Sequence, residues 1–430
     1  MSTTETANGN SKALLVIGGG IAGLTAALDA AEAGLDVILI EKSAYLGGRV
    51  AGFHNYFPKL CPPSCGLEIN FRRLRNHPRI TVVTLAELEK LAGSPGQYDA
   101  TIKIAPRYVS PACTLCGDCV EVCRSEIADP LEFGLMRTKA VHTRRLAAFP
   151  ATYVVDRAAC ASDCHACADA CKYGAIDLAQ RVEQKTFRVG SVIVATGWKP
   201  YDAARLASLG YGKCANVVTN VMLERLAAMD GPTGGKLLRP SDGKAPKSVA
   251  FVQCAGSRDE NHLPYCSTVC CSVSLKQSTY VQKLYPEAKV TIFYIDVRTP
   301  GQLEEFAAKV RSDKAVEMVK GKVSKVEEDA GNAGTAGTKD LRVTVEDVLG
   351  GKKMTRTFEL VVLATGIVPQ TAGLPADFKL DEFGFVINGS PGLFAAGCAK
   401  RPAEVSASVR DATGAALKAL QIAKGAAHNG

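Results

Sequence analysis

Nowhere does this sequence hold about 18 uninterrupted apolar residues, the length a spanning helix needs, so no membrane span is expected. The opening "MSTTETANGNSK" lacks a basic start, and the apolar run at 13–28 is broken by glycines; a cytoplasmic protein is expected rather than an exported one. Strong charge is missing as well. The net charge is +8 over 430 residues, with basic runs only at 71–79 ("FRRLRNHPR") and 137–145 ("RTKAVHTRR"). These read as solvated faces, or a docking surface for an acidic partner, rather than a nucleic-acid interface. One further absence is local. The turn after the apolar strand "KSVAF" is where a second dinucleotide phosphate would sit, yet "VQCAGSRDENHLPYCSTVCCSVSLKQ" (252–277) has no G-x-G-x-x-G.

What is present begins with an ordinary globular mix, 47% hydrophobic and 22% charged, in a chain long enough for two or three domains. Sixteen cysteines are many. With no sign of export, thiols at short regular spacing point to metal or redox work rather than disulfides.

The chain opens, after a polar tail, with strand "ALLVIGG", a helix and strand "DVILIEK", a βαβ unit. Two later apolar strands, "SVIVATG" and "LVVLATG", share an ending. A nested α/β order follows: a disordered tail at 1–11, a first dinucleotide-domain segment at 12–106, a cysteine module at 107–178, a second segment with linker at 179–246, a second α/β domain at 247–355 and a closing segment at 356–430. "GNAGTAGTKD" (331–340) reads as a flexible turn or loop, and the Ala-rich tail has helical periodicity.

"GGGIAG" supplies Gly18, Gly20 and Gly23: the first allows the turn, the second lets the backbone approach a pyrophosphate, the third lets the helix pack on the strand. Glu41 ends the next strand, placed to accept from ribose hydroxyls. "EKSAYLGGRV", with Gly47, Gly48 and Arg49, resembles the second signature of two-dinucleotide flavoproteins, and the two "ATG" strands resemble their later signatures. The resemblance implies FAD held against Gly18, Gly20, Ile21, Ala22 and Gly23, Glu41 and Lys42, Gly48 and Arg49. It adds Ala195, Thr196 and Gly197, then Thr365 and Gly366, then Gly397 and Cys398. Where that superfamily ends its last strand in Gly-Asp, this sequence has Gly397–Cys398, so the ribityl contact is expected from elsewhere, such as backbone amides at the following helix. Cys398 itself reads as a small buried residue.

"CTLCGDCVEVC" spaces Cys113, Cys116, Cys119 and Cys123 as C-x2-C-x2-C-x3-C; "CASDCHACADAC" spaces Cys160, Cys164, Cys167 and Cys171 as C-x3-C-x2-C-x3-C. Three close thiolates wrap one face of a cubane and the fourth points to the other cluster. One 4Fe–4S cluster is therefore expected on Cys113, Cys116, Cys119 and Cys171, the other on Cys160, Cys164, Cys167 and Cys123. "CKYGAI" looks like the bacterial ferredoxin ending, with Lys172 and Arg124 in place of proline. Zinc fits less well, since its knuckles favour separated pairs. Cys61 and Cys65 read equally as a redox pair, extra ligands or buried thiols; Cys214 reads as structural.

The stretch 252–277 resembles one in the A-type subunits of heterodisulfide reductases, where a cysteine, "GSRD", "YCS" and a "CC" doublet recur; "TIFYIDVR" and "KRPAEVSASV" resemble the same family. The resemblance covers about 12–425. It implies a thioredoxin-reductase-like FAD core with an inserted bacterial-ferredoxin-type module, and a third 4Fe–4S cluster on Cys254, Cys266, Cys270 and Cys271. A helix N-terminus stabilises an anionic cluster much as it would a phosphate. Adjacent Cys270 and Cys271 cannot both face one cluster in a regular helix, so an irregular chain is expected there. The compact layout most resembles the A-type subunits of quinone-interacting membrane-bound oxidoreductase complexes of sulfate reducers. That implies an electron-transfer protein at the cytoplasmic face of the membrane. Its partners would be adenylylsulfate reductase, a second flavin or iron–sulfur subunit, and a quinone-reactive membrane subunit. Alternatives are a flavin-bifurcating or confurcating member of a soluble complex, an assembly protein with structural clusters, and an NAD(P)H-dependent disulfide reductase. The last would need a glycine-rich loop and a C-x-x-C pair in the second α/β domain, and 247–355 has neither.

Overall fold

Every residue of "ALLVI" is apolar because the strand it forms, Ala13–Ile17, is covered on both faces. Side chains alternate across a strand, so Leu14 and Val16 enter one core while Leu15 and Ile17 enter another. The computed structural model describes residues 13–57, 60–144, 148–329 and 339–425. In it this strand is the centre of a five-stranded parallel sheet, ordered Leu393–Ala395, Ser191–Val194, Ala13–Ile17, Asp36–Glu41, Ile80–Thr84. Helices Ile21–Glu32 and Val405–Ala423 cover the first face, where alanines of both helices share one buried cluster. An antiparallel sheet of Ala86–Ser94, Gln97–Ile104 and Glu183–Val189 covers the second.

A seven-stranded sheet makes the second unit, ordered Val217–Thr219, Leu360–Thr365, Ser248–Ala255, Lys289–Tyr294, Val316–Glu328, Leu341–Asp347, Lys352–Phe358. The first five strands run parallel and the last two add antiparallel. The boundaries differ here from the sequence expectation. Leu360–Thr365, expected to open the last FAD segment, pairs instead with Ser248–Ala255 and Val217–Thr219. Both its faces are sealed inside the second unit, and five apolar residues in a row fit either parallel sheet. The chain returns afterwards, through an antiparallel pair, Trp198–Pro200 with Ile367–Pro369. The polar tail and most of the 331–340 loop lie outside the described residues.

The cysteine module leaves and re-enters at one place. Ile104 pairs with Glu183 at adjoining strand ends, so the module is an insertion at a hairpin tip, where extra chain leaves the ladder intact. Inside it are the short helices Asp118–Glu121 and Ala166–Asp169 and two small ribbons. Polar ties fasten it to the first sheet: Arg107 donates to Thr84 Oγ1 (2.9 Å) and to Ala44 O, and Tyr45 donates to Thr152 O (2.8 Å). In addition Glu132 forms a buried pair with Arg225 (2.7 Å) of the second unit.

Candidate functional site

The glycines of the first turn differ in what their missing side chains leave free. A Cβ on Gly18 (φ +107°) would stand 2.4 Å from Ala195 O, and one on Gly23 would stand 1.8 Å from Gly18 O. One on Gly20 would meet only Gly48 Cα, at 3.8 Å. Gly18 and Gly23 are thus sealed by protein, while the surface of Gly20 is open. Gly20 caps helix Ile21–Glu32 without a side-chain partner, so the first-turn N–H groups have no side-chain acceptor at the cap. Beyond it lies a cavity of about 380 Å³.

Gly18, Gly20, Ile21, Ala22, Glu41, Gly48, Arg49, Ala195, Thr196, Gly197, Thr365 and Cys398 all line this cavity. Glu41 receives the N–H groups of Gly19 (2.6 Å) and Ser43 (2.7 Å), which fix its carboxylate at the rim. Arg49 donates to Trp198 O and lies over the Trp198 ring. Four expected contacts are not in the lining. Gly23 packs against Gly18. Lys42 turns to solvent and pairs with Glu87 (3.1 Å). Gly366 makes room for the hydroxyls of Ser257 and Ser267, which a Cβ would approach to 2.2 and 2.8 Å. Gly397 donates its N–H to Asp411 (3.0 Å). Cys398 is buried, its thiol on Ala403 O (3.3 Å), and Glu404 caps the last helix by accepting from Ser406 and Ala407. The cap amides of that helix therefore carry a carboxylate of the chain's own.

Sequence reasoning missed the polar wall opposite. Lys276 and Glu224, each only 3% exposed, form an ion pair of 2.9 Å. Lys276 also donates to Asn55 O (2.7 Å) and faces the rings of Phe53, Phe57 and Tyr280. Gln277 donates to Glu224 (2.8 Å), as does the N–H of His54 (3.1 Å). Burial, then the charge of Glu224, pushes the Tyr280 hydroxyl far up. The signal lay in "SLKQST", a Lys-Gln pair inside a helix whose neighbours are small or apolar.

Behind this wall the second expected centre assembles. Cys254, the penultimate residue of strand Ser248–Ala255, has φ +55°, where the pairing register slips against Leu360–Thr365. Burial, then Cys271 and Cys266 nearby, pushes its thiol up to about 11. Burial also pushes Cys270 up, with Cys254, Cys271 and Cys266 as its charged neighbours. The four thiols are therefore mutual neighbours. Cys270 and Cys271, expected in irregular chain, are instead the first two residues of helix Cys270–Leu284. The reversal comes just before, at Thr268 (φ +63°), and the two thiols diverge, toward Thr365 O and Asp296 O (3.7 Å each). Arg258 and Arg298 flank the group and share Asp296.

In the inserted module, burial, then Cys113, Cys116 and Cys167, pushes Cys119 up to about 11. Cys167 is pushed up by burial, then by Cys160, Cys123 and Cys164. Cys167 thus has neighbours in both expected ligand sets, Cys123 and Cys119. Lys172, next to Cys171, pairs with Asp118 (3.1 Å) beside the first set. Among the described residues no three His, Cys, Asp or Glu side chains stand close enough for one ion. Cys61 is half-buried and Cys65 exposed; Tyr56, on the cavity wall, shares a backbone bridge with Cys61.

A family described as FAD dependent oxidoreductase matches residues 13–57. The A-type subunit of the ferredoxin/F(420)H(2)-dependent CoB-CoM heterodisulfide reductase of Methanosarcina acetivorans is 36% identical over 96% of this chain and 54% of its own length. Its counterpart in the H(2):CoB-CoM heterodisulfide,ferredoxin reductase of Methanothermobacter marburgensis is 36% identical over 96% of this chain and 64% of its own. This chain therefore spans between about half and two-thirds of the length of these relatives. Among solved structures, thioredoxin reductase of Lactococcus lactis superposes with a TM-score of 0.53 at 14% identity, covering 96% of this chain and 99% of that one. Thioredoxin reductase of T. acidophilum gives 0.51 at 17%, with the same coverage. These two establish the fold, a two-dinucleotide-binding FAD architecture.

Proposed function

We propose that this chain, 36% identical over 96% of its length to A subunits of heterodisulfide reductases, is an iron–sulfur flavoprotein that relays electrons inside a larger complex. One observation carries this. The cavity that starts at the Gly18–Gly23 turn continues without a break to Thr268, Val269 and Ser272, around the helix start that holds Cys270 and Cys271. A dinucleotide bound at the glycines would bring its far end to the wall behind which four thiols meet.

FAD, when bound, exchanges electrons singly or in pairs, and 4Fe–4S clusters exchange them singly. The chain's own residues hold and insulate. Gly20 and the first-turn amides would receive the pyrophosphate, with Gly18 shaping the turn, Glu41 would receive the ribose, and Phe53, Phe57 and the Lys276–Glu224 pair close the far end. Cys254, Cys266, Cys270 and Cys271 hold one cluster, with Arg258 and Arg298 offsetting its charge. Cys113, Cys116, Cys119 and Cys171 hold a second; Cys160, Cys164, Cys167 and Cys123 hold a third. The place of a second dinucleotide is taken by cysteines, so NAD(P)H is not the reductant.

The complex we propose is membrane-associated and passes electrons between quinol and adenylylsulfate reductase. It would contain a quinone-reactive membrane subunit together with a second flavin or iron–sulfur protein. The chain would be peripheral to the cytoplasmic face; among the described residues no helix is long and apolar enough to cross a membrane. A soluble flavin-bifurcating complex is the second reading, favoured by relatives whose names include ferredoxin reduction. Anaerobic purification with native neighbours, followed by flavin and iron analysis and EPR, tests the reading. One FAD with about twelve irons per chain is expected from three four-iron clusters. Rapid bleaching of the flavin by NADH without a partner would overturn it. A co-purifying quinone-reactive membrane protein selects the first complex, and a soluble ferredoxin-reactive partner the second.

A further inference from the structure

Three buried cations line the cavity, and two are paired. Lys276 has Glu224 at 2.9 Å; Arg225 has Glu132 at 2.7 Å and Asp230 at 3.1 Å. The third, Arg144, is 8% exposed. It donates from Nη1 to Leu46 O (2.8 Å) and from Nη2 to Gly48 O (3.4 Å), while its Nε has no partner and no carboxylate pairs with it among the described residues. Burying a guanidinium without a paired carboxylate is costly; burial presses its pKa down, with the charges of Glu41 and Asp230 acting the other way from beyond ion-pair distance. A site that keeps such a cation is built to receive an anion.

The position of Arg144 names the anion's class. Gly48, which accepts from Arg144, faces Gly20 across the cavity mouth, the surface left open for a pyrophosphate. Gly47 (φ +102°) leaves room for the guanidinium; a Cβ there would stand 3.2 Å from Nη1. Arg144 also lines a second cavity of about 420 Å³, between the first sheet and the inserted module. The two cavities share Ser43, Pro130, Leu131, Arg144 and Arg225. The second opens at Ser43, two residues beyond Glu41 in the chain, and runs on past Tyr45 to Leu85.

We propose that Arg144, supplied by the inserted cysteine module, binds the pyrophosphate of the flavin dinucleotide, and that the second cavity holds its adenosine half. This rests on the FAD reading above and extends it. The module would then be part of the flavin site, closing over the nucleotide that the first sheet presents. A planar five-donor fork suits phosphate oxygens.

The test uses the full chain, prepared anaerobically and depleted of flavin, titrated with FAD, riboflavin and ADP. In Arg144→Met, FAD affinity is expected to fall at least tenfold with a weaker dependence on salt, while riboflavin binding is unchanged and ADP no longer competes. Arg144→Lys should recover part of the FAD affinity. Equal FAD affinity in Arg144→Met and the native chain overturns the inference and leaves the FAD reading standing. Loss of riboflavin and FAD together assigns Arg144 a structural role and also overturns it. A native chain that binds no FAD removes the FAD reading itself. Should Arg144→Met fail to fold, Ser43→Trp fills the second cavity from an exposed position. It is expected to abolish ADP competition and weaken FAD tenfold while riboflavin binds as before; unchanged FAD affinity in that variant overturns the proposal.

Discussion

Gly20 and Gly23 lie three residues apart and should fail in opposite ways. Gly20→Val adds atoms into open cavity, so the chain is expected to fold normally and emerge without flavin, by absorbance and a circular-dichroism melt. Gly23→Val drives a side chain into Gly18 O, 1.8 Å from its Cβ, so soluble protein itself should be lost. A flavin-loaded Gly20→Val would refute the first expectation. Glu224→Gln leaves the buried Lys276 ammonium without its counter-charge. Breaking a buried pair from one side costs about 3–5 kcal/mol, to be read as a lower denaturant midpoint; an unchanged midpoint would mean that Asn55 and the rings suffice. At this scale the glycine turn was legible because backbone closeness requires a residue type at fixed spacing. Lys276 and Arg144 were not, since each takes its meaning from groups distant in the chain. Lys42, placed against FAD by the flavoprotein resemblance, instead pairs with Glu87 at the surface.

Among elements, the clearest sequence signal was thiol spacing, which depends only on a short loop wrapping a compact object. The expected exchange of fourth ligands between the two sets has a direct test. Cys123→Ser should disturb the EPR signal of the cluster on the later set and spare the other; disturbance of the earlier set alone would reverse the assignment. Changing Cys270 and Cys271 together to serine should remove about four of about twelve irons while FAD stays bound, since neither thiol lines the flavin cavity. Loss of flavin with the iron would show that the helix start, not the thiols, had been damaged. The helical state of the doublet was not legible. Local reasoning located the sharp reversal at the cysteines, but Thr268 takes the left-handed conformation and frees the next two residues to begin a helix.

For the whole molecule, the parallel sheets were legible from unbroken apolar runs. Which sheet each strand joins was not, because Leu360–Thr365 and Ser191–Val194 are interchangeable by composition; long-range pairing alone separates them. The insertion at a hairpin tip carries its own expectation. Replacing 107–180 by a short glycine–serine turn should leave the strands Gln97–Ile104 and Glu183–Val189 paired. It would also strand Arg225 without Glu132, so a soluble protein of lowered melting temperature that retains no FAD is expected. Normal flavin content in that variant would show that the first sheet binds the nucleotide unaided.

The order of the five-stranded sheet has a consequence for synthesis. Ala13–Ile17, its central strand, has Asp36–Glu41 on one side early, but its other neighbour is Ser191–Val194 and the strand beyond is Leu393–Ala395. At about 5–20 residues per second, the ribosome needs roughly half a minute to travel from Leu14 to Phe394. The central strand keeps an open edge until Ser191–Val194 emerges, and Ser191–Val194 then keeps one until Leu393–Ala395 arrives, the condition under which nascent chains recruit chaperones or aggregate. Ribosome-bound chains halted before Ala395 should therefore stay sensitive to protease in their first segment, long after that segment has left the exit tunnel, and become resistant only when the last strand is delivered.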